Sequence, residues 1–186
     1  MSLAKIGVIH GRFQLLHNDH LKYLLAGKER CGHLVVGITN PDPSLTKHDA
    51  ADNSRSDQAA NPFTYYERYL MVGAALVESG LEREEFSVVP FPINFPNLYH
   101  YYVPLDAVFY LTIYDQWGEK KLALFENEGL RTDILWRCSR QEKGLSATEV
   151  RKRIAAGEEW QQLVPRAVAR LLQQWDVAAR LHNLAR

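Results

Sequence analysis

Short apolar runs alternate along the chain with longer stretches in which apolar residues recur every three or four positions. Short apolar runs bounded by polar or glycine positions are typical of buried strands. The pattern predicts strands over residues 6–9, 34–38, 86–89, 107–111 and 132–136.

The stretches between these runs predict helices. Two of them begin with a capping box, in which a hydroxyl residue is followed three positions later by a glutamate. These pairs are Thr64 with Glu67 and Ser146 with Glu149. The predicted helices cover residues 19–28, 64–79, 118–128, 146–156 and 165–184.

Strand and helix alternate in an order that predicts an α/β fold, a Rossmann-like, doubly wound parallel sheet of five strands with a C-terminal helical segment. We expect one domain over residues 1–156 and a helical extension, 157–186, packed on it. Ligands bind such sheets at the carboxyl ends of the strands. The polar, proline-containing stretch 40–62 follows the second strand, so we predict a mobile loop there that closes over a substrate.

Composition narrows the class of protein. The 186 residues carry 22 basic and 22 acidic side chains, and a net charge of zero argues against a general nucleic-acid binder. Cys31 and Cys138 lack metal-site spacing. No apolar run approaches the ~18 residues of a membrane span, and the N-terminus shows no leader pattern. We therefore expect a cytoplasmic protein without membrane or nucleic-acid partners.

The first candidate site follows the first strand, where Gly11 and Arg12 lead into a predicted helix that carries His17 and His20. Backbone N–H groups at a helix start attract anions. Residues three apart share a helix face, so both histidines can approach one group of oxygens. Arginine offers a planar, charged fork to phosphate. The alternative is a strand-to-helix turn with incidental polar residues.

Two further segments combine a helix start with an arginine. Residues 144–151 place Ser146, Thr148 and Arg151 at one helix start, which suits either simple capping or phosphate binding. Residues 61–68 end in Arg68, a free cation that suits an anionic acceptor; the alternative is a capped helix with a solvated arginine.

Together, segments 11–20, 61–68 and 146–151 resemble the three motifs of the HxGH nucleotidyltransferase superfamily. They are most similar to those of archaeal-type nicotinamide-mononucleotide adenylyltransferases, and the resemblance spans residues 5–155. It implies transfer of a nucleoside monophosphate from an NTP (ATP or CTP) to a small phosphate or phosphonate acceptor. Pyrophosphate is then released and Mg²⁺ is the implied cofactor. A homo-oligomer is also expected.

The resemblance also implies residue roles. The expected catalytic residues are Arg12, His17, His20 and Arg151. The expected acceptor-binding residues are Arg68, from the second motif, and Tyr99, from the tyrosine-rich segment 96–102, where the family's nicotinamide site is not clearly retained. The expected nucleotide-binding residues are Gly11, Arg12, Phe13, Gln14, His17, His20, Ser146, Thr148 and Arg151.

The chain departs from the family pattern at Leu15, Asp19 and Ala147, where that pattern has proline, glycine and glycine. Asp19 would repel a triphosphate unless it serves as a ligand of Mg²⁺, or unless it faces away from the site. The segment 112–118 replaces a shorter glycine-containing turn, so the acceptor is less determined than the reaction.

These observations favour an enzyme similar to nicotinamide-mononucleotide adenylyltransferase. One alternative is a cytidylyltransferase that activates a phosphonate or another phosphorylated small molecule. A catalytically silent nucleotide sensor is a third hypothesis. The presence of both histidines and of Arg12 and Arg151 argues against it, because a sensor does not need groups that stabilise a transition state.

Overall fold

The computed structural model describes residues 3–45, 60–139 and 144–184. Its centre is a parallel sheet of five strands in the order β3-β2-β1-β4-β5, which confirms the predicted fold. The strands are β1 (Ala4–Gly11), β2 (Cys31–Thr39), β3 (Phe86–Phe91), β4 (Val108–Ile113) and β5 (Arg131–Arg137). Most extend past the predicted apolar runs, because ladder hydrogen bonds also include the polar residues at their ends.

Within the described residues, six α-helices accompany the sheet. Thr64 caps one of them in a complete capping box with Glu67. Ser146 caps another by accepting from the Glu149 N–H, whereas the Glu149 carboxylate pairs with Arg153. The helices are α1 (Asn18–Lys28), α2 (Tyr65–Glu78), α3 (Gln116–Asn127), α4 (Ala147–Ala156), α5 (Arg166–Gln174) and α6 (Val177–Leu184).

The prediction of one helix over 165–184 is wrong, because the segment divides into α5 and α6. Asp176 adopts a φ of +46° at the break, a left-handed conformation that aspartate tolerates better than most residues. The break allows Leu172 of α5 and Leu181 of α6 to enter the same apolar core.

Successive residues of the central strands point to opposite faces of the sheet. Ile9 and Val36 pack into the core beneath α1, α2 and the C-terminal helices. Val8 and Val35 pack into a second core, which contains Phe125 of α3. Helices therefore cover both faces, as in a doubly wound sheet.

Strand order reverses between β1 and β4, because β1 pairs with β2 on one side and with β4 on the other. Loops on the two sides of such a switch point leave a crevice at the carboxyl ends of the strands. Most of the predicted closing loop, residues 46–59, lies outside the described residues. Within the described part of the chain, no helix combines the length and apolarity needed to cross a membrane.

Candidate active site

A cavity of about 380 Å³ opens at this switch point. The segments that follow all five strands contribute to its wall. They are residues 10–14 with the start of α1, residues 39–40, residues 93–94, the segment 112–121 and residues 144–151.

The turn after β1 brings the backbone close to the cavity. Phe13 adopts a φ of +49° and buries its ring beneath the turn. A Cβ atom on Gly11 would lie 2.8 Å from that ring, so only glycine fits there. Both residues line the cavity, together with Arg12.

His17 and His20 lie together at the start of α1. The ring centroids are 3.7 Å apart with planes inclined by 24°, and the His17 Nδ1 accepts from the His20 N–H at 3.4 Å. A neutral His17 then carries its proton on Nε2 and can donate from that atom. The structure thus brings both predicted histidines to the cavity wall.

Gln14 joins the first turn to the segment before α2. Its side-chain amide donates to the Phe63 O at 3.0 Å and accepts from the Phe63 N–H at 2.9 Å. Because the amide is occupied by this pair, Gln14 positions the turn and lines the cavity at the same time.

The start of α4 forms a neighbouring part of the cavity wall. Ser146, Thr148 and Arg151 all line the cavity. Arg151 donates to the Gln14 O, and its Nη2 donates to the Thr148 Oγ1 at 3.3 Å. Burial lowers the pKa of the Arg151 guanidinium below its usual value, but the group stays a cation at neutral pH. The two segments predicted to bind phosphate therefore touch each other.

One interpretation of the sequence places the Asp19 side chain away from the site. The structure contradicts it. The Asp19 Oδ2 accepts from the Leu145 N–H at 2.7 Å, just before α4, and Asp19 lines the cavity. A Cβ atom on Gly144 would collide with this carboxylate, so a larger residue there would have to displace the Asp19 side chain.

Arg68 is neither solvated nor free. Its side chain is 2% exposed, and all three guanidinium nitrogens donate to backbone carbonyls. These carbonyls are Thr64 O at 3.2 Å, Arg12 O at 3.0 Å, Thr39 O at 2.8 Å and Asn40 O at 2.9 Å. Burial lowers its pKa to about 10. This placement corrects the expectation that Arg68 contacts the acceptor, because its donors already join β1, β2 and α2.

Tyr99 also lies in the interior, with 1% of its surface exposed. Its hydroxyl donates to the Ile93 O at 2.6 Å, and its ring packs on Phe91 with centroids 4.6 Å apart. The expected contact between Tyr99 and the acceptor is therefore replaced by support for residues 93–94, which line the cavity.

The cavity residues that the sequence analysis did not assign to the site include His10, Trp117 and Lys121. His10 is the last residue before Gly11, and a histidine that ends an apolar run could have signalled a site residue. The other two come from α3. Only the fold shows that α3 borders the same cavity.

In the part of the chain that the structure describes, two carboxylates line the cavity, Asp19 and Asp115. Each accepts from a backbone N–H, of Leu145 and Gly118 respectively. Among the described residues, no group of three or more His, Cys, Asp or Glu side chains could hold a metal ion. The donor set fits a cation held mainly by substrate phosphates, with at most one or two carboxylates from the protein.

These cationic, hydroxyl and N–H groups suit phosphate, and their place at the switch point of a Rossmann-like sheet fits a nucleotidyltransferase. A sequence model described as cytidylyltransferase-like matches residues 8–153. The chain belongs to this family.

Individual relatives confirm the predicted class of enzyme. The chain is 50% identical, over 96% of each sequence, to a phosphonoformate cytidylyltransferase of Streptomyces viridochromogenes. It is 32% identical to a nicotinamide-nucleotide adenylyltransferase of Thermococcus onnurineus, over 98% of this chain and 90% of the relative.

Solved structures show the same fold. A bifunctional NMN adenylyltransferase/ADP ribose pyrophosphatase from Francisella tularensis superimposes with a TM-score of 0.70 at 14% identity. The match covers 98% of this chain and 52% of the other, so this chain spans about half the length of that protein.

Proposed function

We propose that the enzyme transfers CMP from CTP to a small phosphonate acceptor. The observation that carries this choice is the cavity wall formed by residues 112–118, where the sequence departs from the pattern of nicotinamide-mononucleotide enzymes. The 50% identity to a phosphonoformate cytidylyltransferase supports the same choice.

In the proposed reaction, a phosphonate oxygen of the acceptor attacks the α-phosphorus of CTP. The bond between the α-phosphorus and the bridging oxygen of the β-phosphate breaks, and pyrophosphate leaves with that electron pair. Such a step needs in-line placement of the reactants and stabilisation of charge on the transferred group. No covalent intermediate with the protein is required.

The residues at the two helix starts suit these tasks. His17 and His20 would donate to oxygens of the α-phosphate region, where charge develops. Ser146, Thr148 and the N-terminus of α4 would bind the β- and γ-phosphates. Arg12 and Arg151 would neutralise the departing pyrophosphate, and Arg151 already lies against the Gln14 carbonyl of the first turn.

The proposed cofactor is Mg²⁺, which would enter with the triphosphate and neutralise part of its charge when bound. Asp19 is the carboxylate best placed to contact it, because it lies between the two helix starts. An NTP-dependent reaction of this kind also belongs in the cytoplasm, which supplies the nucleotide.

A second candidate function is adenylyl transfer to nicotinamide mononucleotide. The relatives named for that activity favour it, since they match almost the whole chain at 30–32% identity. Phosphonate and nicotinamide mononucleotide differ greatly in size, so one assay separates the two functions.

That assay measures pyrophosphate release with ATP, CTP, GTP and UTP, each combined with phosphonoformate, methylphosphonate or nicotinamide mononucleotide. We expect the highest kcat/KM for CTP with phosphonoformate and background rates with nicotinamide mononucleotide. A dominant rate for ATP with nicotinamide mononucleotide would overturn the proposal in favour of the second candidate.

A further inference from the structure

One wall of the cavity is unlike the phosphate-binding side. It consists of His10, at the end of β1, and of Trp117 and Lys121 on α3. The Lys121 Nζ lies 4.6 Å from the centroid of the Trp117 ring. His10 packs against Phe125, one turn further along α3, with ring centroids 5.2 Å apart. His10 thus packs on the same helix that carries Trp117 and Lys121, and all three residues line the cavity.

His10 is a buried polar side chain whose hydrogen-bonding groups the fold does not satisfy. Its side chain is 4% exposed, and neither ring nitrogen has a hydrogen-bond partner among the described residues. Buried polar side chains are normally hydrogen-bonded, so an exception calls for a specific explanation. Phe91 and Phe125 cover the ring, while His10 also lines the cavity. A ligand group in the cavity can supply the missing partner.

The charges on this wall indicate which ligand group would bind to His10. Burial, and secondarily the positive charge of Lys121, hold the pKa of the His10 imidazole well below its usual value. His10 therefore offers a neutral N–H donor at physiological pH, and Lys121 offers the cation. Asp115 also lines the cavity and caps α3 by accepting from the Gly118 N–H at 3.0 Å. One cation and one neutral donor side by side suit a carboxylate.

We propose that His10 and Lys121 form a subsite for a carboxylate on the acceptor, so that the enzyme selects small phosphonates that carry this second anionic group. The inference rests on the proposed function for the identity of the acceptor. It explains why a histidine stands in the apolar end of β1 and why α3 presents Lys121 to the cavity. In this proposal, the phosphonate and the nucleotide lie against the two helix starts on the other walls of the cavity.

The test compares two ligands that differ in the carboxylate. Calorimetry measures the Kd of phosphonoformate, in which a carboxylate is bonded to the phosphonate phosphorus, and of methylphosphonate, which lacks it. We expect the wild-type enzyme to bind phosphonoformate at least ~10-fold more tightly, as expected for one charge-assisted contact. Lys121→Met and His10→Phe should each remove most of this preference, and Lys121→Arg should retain part of it.

Lys120→Met is the matched control, because Lys120 is the exposed neighbour of Lys121 on the same helix and does not line the cavity. It should bind both ligands as the wild type does. Urea unfolding of each variant shows whether it is folded, and Lys121→Met tests the subsite even if His10→Phe is unstable. An unchanged preference in Lys121→Met, or no preference in the wild type, would overturn the subsite.

Binding and turnover separate the two proposals. Carboxylate-dependent binding without CTP turnover means that the proposed function fails and the subsite stands. Turnover of CTP with phosphonoformate, combined with the same preference in every variant, means that the function stands and the subsite fails. Absence of binding by both phosphonates overturns the subsite as well.

Discussion

Arg68 shows how a single buried cation can organise a site that it does not line. Its guanidinium bonds to carbonyls at the ends of β1 and β2 and at the N-cap of α2. These segments carry or support the turn that holds Arg12. A buried charge is tolerated only when its donors are satisfied. Removing the charge leaves several carbonyls without partners.

We therefore predict that Arg68→Met lowers the free energy of unfolding by about 3 kcal/mol, the cost of leaving buried carbonyls unsatisfied. Urea unfolding measures this loss. Arg166→Met is the control, because Arg166 is exposed on α5 and should change stability by less than ~0.5 kcal/mol. A variant of normal stability with a raised KM for the acceptor alone would restore Arg68 to acceptor binding.

His20 has a different role, since it belongs to the cavity wall and to the stacked pair with His17. His20→Ala should lower kcat by about 100-fold, as expected when one preorganised donor is lost. The free energy of unfolding should change little, because His20 is partly exposed. His182→Ala, on the exposed side of α6, is the control and should keep the wild-type kcat. Near-normal turnover of purified His20→Ala contradicts the role.

At this scale, the sequence located the residues whose position depends on a local turn. His17, His20, Ser146 and Thr148 line the cavity because each lies at or near a helix start that follows a strand or loop. Arg68 and Tyr99 were misplaced because distant segments bury them, and local sequence does not encode that burial. As free side chains, both residues could donate to an acceptor. In the fold, their donor groups bond to backbone carbonyls instead.

Among the elements, helices α2 and α4 have the same type of N-cap but lie differently with respect to the cavity. Thr64 and Ser146 each accept from the N–H of a glutamate three positions on, at 3.2 Å. Only Ser146 belongs to the cavity wall. The two caps therefore form a natural pair for separating stability from ligand binding.

Ser146→Ala and Thr64→Ala should each lower the free energy of unfolding by about 1 kcal/mol, the usual value of an N-cap. Ser146→Ala should in addition raise the KM for the NTP about fivefold, the effect of losing one hydrogen bond. Thermal unfolding and initial-rate kinetics measure the two effects. Equal KM values in both variants would assign Ser146 to capping alone.

The five strands and helices α1 to α4 were predictable as elements, and their ends were less so. The five apolar runs marked the strands, and the capping pairs marked two helix starts. The break between α5 and α6 was not predictable from periodicity, because the apolar spacing continues through Asp176. Asp176, in its left-handed conformation, ends the helix although the spacing of apolar residues continues.

For the whole molecule, the C-terminal helices contribute buried side chains to the main apolar core. Val168 and Leu172 of α5 are buried in the same cluster as Ile9 of β1 and Leu24 of α1. Glu78 of α2 also accepts from the Ala167 N–H at 2.8 Å. We propose that residues 157–184 and the nucleotide-binding part unfold as one unit.

Leu172→Ala should therefore lower the free energy of unfolding of the entire chain by about 3 kcal/mol, as for other buried leucines. Leu184→Ala is the control, because Leu184 is 37% exposed and its truncation should cost less than ~1 kcal/mol. Fluorescence and circular dichroism should show one coincident transition in both variants. Two separate transitions would mean that the C-terminal helices form an independent unit.

The contacts that build the cavity join parts of the chain that are far apart in sequence. Arg151 and Gln14 are 137 positions apart, and Leu145 and Asp19 are 126 positions apart. On a translating ribosome, the first turn emerges long before its partner segment has been synthesised. The nascent chain can therefore assemble the proposed nucleotide site only after residue 151 has been synthesised, and shorter translation products should not bind NTP.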